Sequence, residues 1–136
     1  MPSDKVSVKY KVEAKGPLAD KAEAAMGKAI EAAVKASGVL TNDKPSGTKE
    51  PYWSVELSVT LTPDKDGKLL QGKLSGMVLA VNATISGAKL SGSSATEITG
   101  KDKKPNAGDV EAVADDLAKK IMQKNAVPYM KSTKLQ

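Results

Sequence analysis

Between residues 52 and 100 apolar and polar side chains alternate for tens of positions, and few architectures accept a chain written that way. A period of two sends successive side chains to opposite faces of an extended backbone, so this stretch is read as a half-buried, three-stranded meander. Trp53, Val55, Leu57, Val59 and Leu61 share one face; Tyr52, Ser54, Glu56, Ser58 and Thr60 share the other. Pro63, Asp64, Lys65, Asp66, Gly67 and Lys68 then supply a tight turn in which Gly67 is free to take a positive φ, so a hairpin is predicted. The return strand, 69–81, places Leu70, Leu74, Val78 and Ala80 in one register, with Gly72 and Gly76 at intervening positions of that face. Its other face carries Leu69, Met77, Leu79 and Val81 beside Gln71, Lys73 and Ser75. A strand apolar on both faces near its end is expected to be covered on both sides there, or to offer its outer patch to a partner. Glycine in a strand removes a side chain from the packed face, so Gly72 and Gly76 are expected to admit a close helix or to mark a bulge. A third strand, 88–99, has only Leu90 and Ile98 as large apolar residues and reads as an edge strand of weakly specified register.

Ahead of the meander, residues 5–14 alternate as well. Val6, Val8, Tyr10, Val12 and Ala14 face inward and Lys5, Ser7, Lys9, Lys11 and Glu13 face water, with lysines that suit an exposed sheet edge. Gly16 and Pro17 end that strand and open a helix, Pro17 standing in its first turn. Leu18, Ala22, Ala25, Met26, Ala29, Ile30, Ala33 and Val34 follow at helical spacing, and Gly38 is placed as a left-handed cap. An alanine stripe lets a helix lie close to a sheet but leaves most of the packing to Leu18, Met26, Ile30 and Val34, each contributing on the order of 1.5–3 kcal/mol when buried. Residues 41–51, with Asn42, Asp43, Pro45, Gly47 and Pro51, form a loop long enough for a mobile binding element or an exposed tether.

After a polar segment, 100–108, Asn106 and Asp109 mark a helix start with an acidic first turn. Val110, Val113, Ala114, Leu117, Ala118, Ile121 and Met122 make its apolar stripe, opposite Asp115, Asp116, Lys119, Lys120 and Lys124. Pro128 is expected to stop it, Val127, Tyr129 and Met130 to fold back onto the core, and residues 131–136 to fray. At 136 residues this is a single domain. The expected fold is α+β, in the order β-α-β-β-β-α: a four-stranded, mostly antiparallel sheet with two amphipathic helices on one face and the other partly open.

Composition narrows the chemistry. With no cysteine there is no thiol catalysis, disulfide or thiolate metal site, and with no histidine the usual neutral-pH base and commonest metal ligand are missing. Asp64, Asp66 and Gly67 resemble the start of a calcium loop, but Lys65 and Lys68 intrude and the closing glutamate is absent, so a turn is expected. Adjacent Asp115 and Asp116 splay by about 100° on a helix and do not form a catalytic pair. Gly87, Gly92 and Gly100 lie in strand-like context, not in a phosphate loop, and Asn82-Ala83-Thr84 matches the glycosylation pattern without further support. No catalytic, cofactor-binding or metal residue is therefore assigned, no cofactor is expected, and an enzyme is not expected.

All 21 basic residues are lysine, at a net charge of +5. Without arginine's bidentate fork, and with Trp53, Tyr10, Tyr52 and Tyr129 as the only aromatics, nucleic-acid reading is disfavoured. No apolar run approaches the length of a membrane span. Residues 1–4 lead directly into a strand, so no leader is expected within this chain; the compartment is cytoplasmic, or periplasmic or extracellular where a leader has been removed.

The order of elements, with 53–61, 68–81 and 108–123 as its clearest segments, resembles small bacterial envelope domains of the strand-helix-three-strand-helix type found in outer-membrane lipoproteins. The resemblance spans nearly the whole chain and rests on pattern. There is no lipobox cysteine here, so lipidation does not carry over. What the resemblance implies is a non-catalytic interaction or assembly role in the cell envelope. The expected interface is Leu69, Met77, Leu79 and Val81, meeting another protein or a second copy. The alternative is a non-specific, salt-dependent binder of polyanions, nucleic acid or anionic lipid, through Lys101, Lys103, Lys104, Lys119, Lys120 and Lys124.

Overall fold

The alternating stretch forms the hairpin that its period predicts. In the computed structural model, which describes residues 5–45, 47 and 49–133, strand β3 (Tyr52–Pro63) pairs antiparallel with β4 (Leu69–Val81). The expectations for residues 1–4 and for the last three residues of the tail lie outside the described residues. Register runs unbroken from Tyr52↔Val81 to Pro63↔Leu70, so neither Gly72 nor Gly76 marks a bulge. Gly67 takes φ 68° in the turn, its N–H donating to the Asp64 carbonyl at 3.2 Å, while the Lys68 N–H donates to the Asp64 carboxylate at 2.8 Å. β5 (Ala88–Glu97) pairs antiparallel with β4 and forms one margin of the sheet. It stops short of the expected Thr99, because the Thr99 and Gly100 amides are taken by Asp109.

The expected four-stranded, mostly antiparallel sheet is corrected to a five-stranded mixed one in the order β2-β1-β3-β4-β5. β1 (Val6–Lys15) is parallel to β3, from Val8↔Trp53 to Lys15↔Thr60, because helix α1 (Ala19–Ser37) carries the chain back between them. The extra strand, β2 (Leu40–Thr41), lies parallel to Val6 and Ser7 just beyond the helix. Two residues are too few to show a period in sequence. Because β2 reaches no further than Ser7, the rest of β1 keeps an outer margin, where its lysines were expected.

Both main helices cover the same face, where Trp53, Val55, Leu57, Val59, Leu70, Leu74 and Val78 are buried. α1 buries Ala22, Met26, Ala29, Ile30 and Val34 and closes on Gly38 at φ 76°. Its start differs from expectation. Leu18 is the residue before the helix, with φ 52°, so Pro17 stands outside the first turn and Leu18, 41% exposed, contributes little packing. α2 (Ala107–Ile121) opens with a reciprocal capping box between Asn106 and Asp109. Gly72 lets this helix approach: a Cβ there would fall 2.5 Å from Val113 Cγ1 and 2.9 Å from Leu117 Cδ1. Gly76 serves the neighbouring strand instead, since a Cβ there would meet the Glu56 carbonyl and Leu57.

Pro128 does not stop the chain's last helix. Residues Met122–Ala126 widen into a π turn, with the Val127 N–H bonded to the Met122 carbonyl, and α3 (Val127–Ser132) starts with Pro128 where its missing N–H costs nothing. The start of the expected frayed tail is thus helical. Met130 is buried and the Tyr129 ring meets Trp53 edge-on, centroids 5.6 Å apart. The Tyr129 hydroxyl donates to the Ser86 carbonyl, tying α3 to the β4–β5 connection.

Candidate functional site

The uncovered face of the sheet is built by alternation alone. Every side chain that β3 and β4 withhold from the helices falls on it, and cross-strand register sorts them into rows. One row runs Lys11, Glu56, Met77, Lys89; the next runs Glu13, Ser58, Ser75, Ser91. Between the taller first row and the small second row lies an open trough of about 630 Å³, with Lys11, Glu56 and Met77 on one wall and Ser58, Ser75 and Ser91 along it.

Of the four expected interface residues, the structure brings three together. Met77, Leu79 and Val81 follow one another along one end of β4, Met77 being 38% exposed and the other two half-buried. Leu69, also 38% exposed, is on the same face at the far end of the strand, roughly 26 Å from Met77 at a strand's rise per residue. Tyr52 joins the cluster instead, opposite Val81 in register, and the Lys9 ammonium stands 4.8 Å from its ring centroid. The signal was available in the sequence, because Tyr52 and Lys9 both alternate onto this face.

The six lysines of the alternative reading fall into two groups. Lys101, Lys103 and Lys104 precede the Asn106 cap, in a turn where Asp102 and Lys103 take φ 58° and 59°. Lys119 and Lys120 lie at the other end of α2 and Lys124 in the π turn that follows, roughly 20 Å along the axis. Lys119 and Lys120 are already engaged, at 2.9 Å and 3.0 Å from Asp115 and Asp116.

Asp109 and Asp116 have structural partners. Asp109, 5% exposed, accepts from the Thr99 hydroxyl at 2.6 Å, from the Thr99 and Asn106 amides at 2.9 and 3.0 Å, and from the Gly100 amide at 3.3 Å. Burial pushes its carboxyl up, but these bonds outweigh burial and hold it below the ordinary range. Asp116 accepts from the Ser94 hydroxyl at 2.6 Å, and that bond, with Lys120, lowers its carboxyl too. Tyr10 donates to Glu31 at 2.5 Å, which raises its phenol to about 12. Among the described residues no group of three or more acidic side chains could hold a metal ion, and no helix is long and apolar enough to cross a membrane.

The molecule is thus an α+β domain: a five-stranded mixed sheet with two long helices on one face. No family model and no curated protein matches the chain. Solved structures do share its fold. A provisionally assigned lipoprotein from Caulobacter crescentus CB15 superposes with a TM-score of 0.54 at 9% identity, over 93% of each chain. A minor lipoprotein from Acinetobacter baumannii gives 0.52 at 11% identity, over 95% of each. The PelC dodecamer from Paraburkholderia phytofirmans gives 0.50 at 14% identity, over 88% of this chain and 85% of that one. At these identities the likeness is one of fold.

Proposed function

We propose that this chain is a non-catalytic interaction or assembly module of the bacterial cell envelope, working through the uncovered sheet face around Met77, Leu79 and Val81, with Leu69 at its far end. The observation that carries the reading is the apolar cluster, with Tyr52, on a face that no helix of the described chain roofs. An exposed apolar patch rimmed by charge, here Lys9, Lys11, Glu56 and Lys89, is the usual character of a protein-contact surface. Two fold neighbours being lipoproteins and another a dodecamer agrees with such a role.

Fractionating the source cell tests this, with the wild-type chain and a Met77→Lys, Leu79→Lys variant compared in parallel. The wild type is expected in the envelope fraction as part of a larger particle, and the variant, folded by circular dichroism, is expected to be released from it. A wild-type chain that stays in the cytoplasm as a free monomer overturns the reading.

A further inference from the structure

The outer margin of β5 is a second surface, distinct from the face. Ile98 donates its N–H to the Lys68 carbonyl at 2.8 Å, which fixes the phase of the ladder: even-numbered residues of β5 turn their amides toward β4. Lys89, Ser91, Ser93, Ala95 and Glu97 therefore turn N–H and C=O outward, and all five are exposed. Among the described residues only β4 pairs with this strand. The margin has no bulge, with continuous register from Leu69↔Glu97 to Val78↔Ala88. It holds no proline, its centre is Ser-Gly-Ser-Ser-Ala, and the charges stand only near its ends. Natural edges normally carry a bulge, a proline or a central lysine to prevent pairing, and this one has none.

We propose that this margin pairs antiparallel with the same strand of a second copy, about a two-fold axis through Ser93, to make one continuous sheet. The occupant is argued from charge and phase. Ser93 is midway between Lys89 and Glu97, so the axis sets each Lys89 against Glu97 of the second copy, at both ends of the seam. Ser91 falls opposite Ala95 of the second copy, and no like charges meet. The same register places odd residues opposite odd ones, where the outward amides and carbonyls exchange about ten hydrogen bonds. Above the seam, the α2 flank over β5 carries both signs, Asp116 and Lys120 being 3.0 Å apart and Asp116 bonded to Ser94. A two-fold mate brings an antiparallel α2 with the same mixed flank. The proposal rests on the assembly reading above but uses a different surface.

Sedimentation equilibrium of the full chain and its variants tests it. The wild type is expected to form a dimer. Lys89→Glu and Glu97→Lys each set like charges together at both ends and are expected to weaken it on the order of tenfold. Mixing the two in equal amounts restores opposite charges, so association is expected to return as a heterodimer, which also shows that both variants fold. Ser93→Pro removes an outward donor at the axis and is expected to weaken the dimer on the order of tenfold or more. Leu79→Lys, on the open face beyond the last β4–β5 pair, is expected to leave it intact. A chain still monomeric at about 1 mM, a mixture that fails to recover, or a dimer broken by Leu79→Lys and indifferent to Lys89→Glu overturns the proposal. A β5 dimer confined to the cytoplasm sinks only the envelope reading, and a monomer held in an envelope complex sinks only this one.

Discussion

The two margins of the sheet are opposites in how they are finished. Along β1 the outward amides at both ends are occupied, Val6 by the Val39 carbonyl at 3.1 Å and Ala14 by the Glu23 carboxylate at 3.1 Å. Lys9, Lys11 and Lys15 line that side with charge, and the Tyr10 ring packs beside Gly27 and reaches Glu31. Along β5 no described residue reaches around. The helix that covers it bonds to Ser94 from above and to Thr99 and Gly100 beyond its end, leaving the outward groups unpaired. A margin tied off at both ends and lined with lysine is built to stay alone, whereas a bare one of small residues is built to be met.

The difference can be broken from either side. The largest effect is expected at the clasp that ends β5. Asp109→Ala leaves the Thr99, Gly100 and Asn106 donors without their acceptor and is expected to cost roughly 2–4 kcal/mol in urea unfolding. The same clasp sets an acid limit. Because the folded carboxyl is held below its ordinary value, its contribution is complete above the usual aspartate range and is lost as pH falls through the lowered folded value. A stability profile from pH 6 down to about 2, flattened in the Asp109→Asn variant, checks this.

Next in size is Glu23→Ala, which frees the Ala14 amide. It is expected to cost about 1 kcal/mol and to make the β1 margin sticky, read as new concentration-dependent association by light scattering. Glu31→Gln is expected to bring the Tyr10 phenol down from about 12 toward 10, read by ultraviolet absorbance. In the wild type that hydrogen bond's contribution is complete below pH 10 and fades as pH rises through about 12. The smallest effect is Asp115→Asn. Its ion pair with Lys119 is solvent-exposed at 2.9 Å, and its loss is expected to cost only about 0.3–0.5 kcal/mol.

What the sequence disclosed follows from how strongly each element is patterned. The hairpin, both amphipathic stripes apart from Leu18, the Gly38 cap and the Asn106–Asp109 start all carry periods or residue types with a single local meaning, and each is where the residues place it. The sequence is silent where geometry depends on partners far along the chain. β2 is two residues held by β1, and the strand directions depend on where α1 returns the chain. Pro128 reads as a stop, yet a π turn absorbs it because Met130 and Tyr129 have a core to reach. For the candidate surface, Met77, Leu79 and Val81 are legible as a run of outward apolar residues, whereas Leu69 shares only their face, since alternation carries no information about distance along the strand. The outward amides and carbonyls of five β5 residues are invisible in the sequence, since the phase of a ladder is set by one hydrogen bond, Ile98 to Lys68, that no side chain announces.

Trp53 has one more consequence. It is the chain's single indole, wholly excluded from water and touching Tyr129 of the last helix, so its emission should be blue-shifted in the intact fold. Should α3 peel away while the meander holds, the spectrum would move toward red with little loss of far-ultraviolet dichroism, since α3 is only six residues long. The molecule thus carries a built-in optical reporter for the docking of its own C-terminal segment.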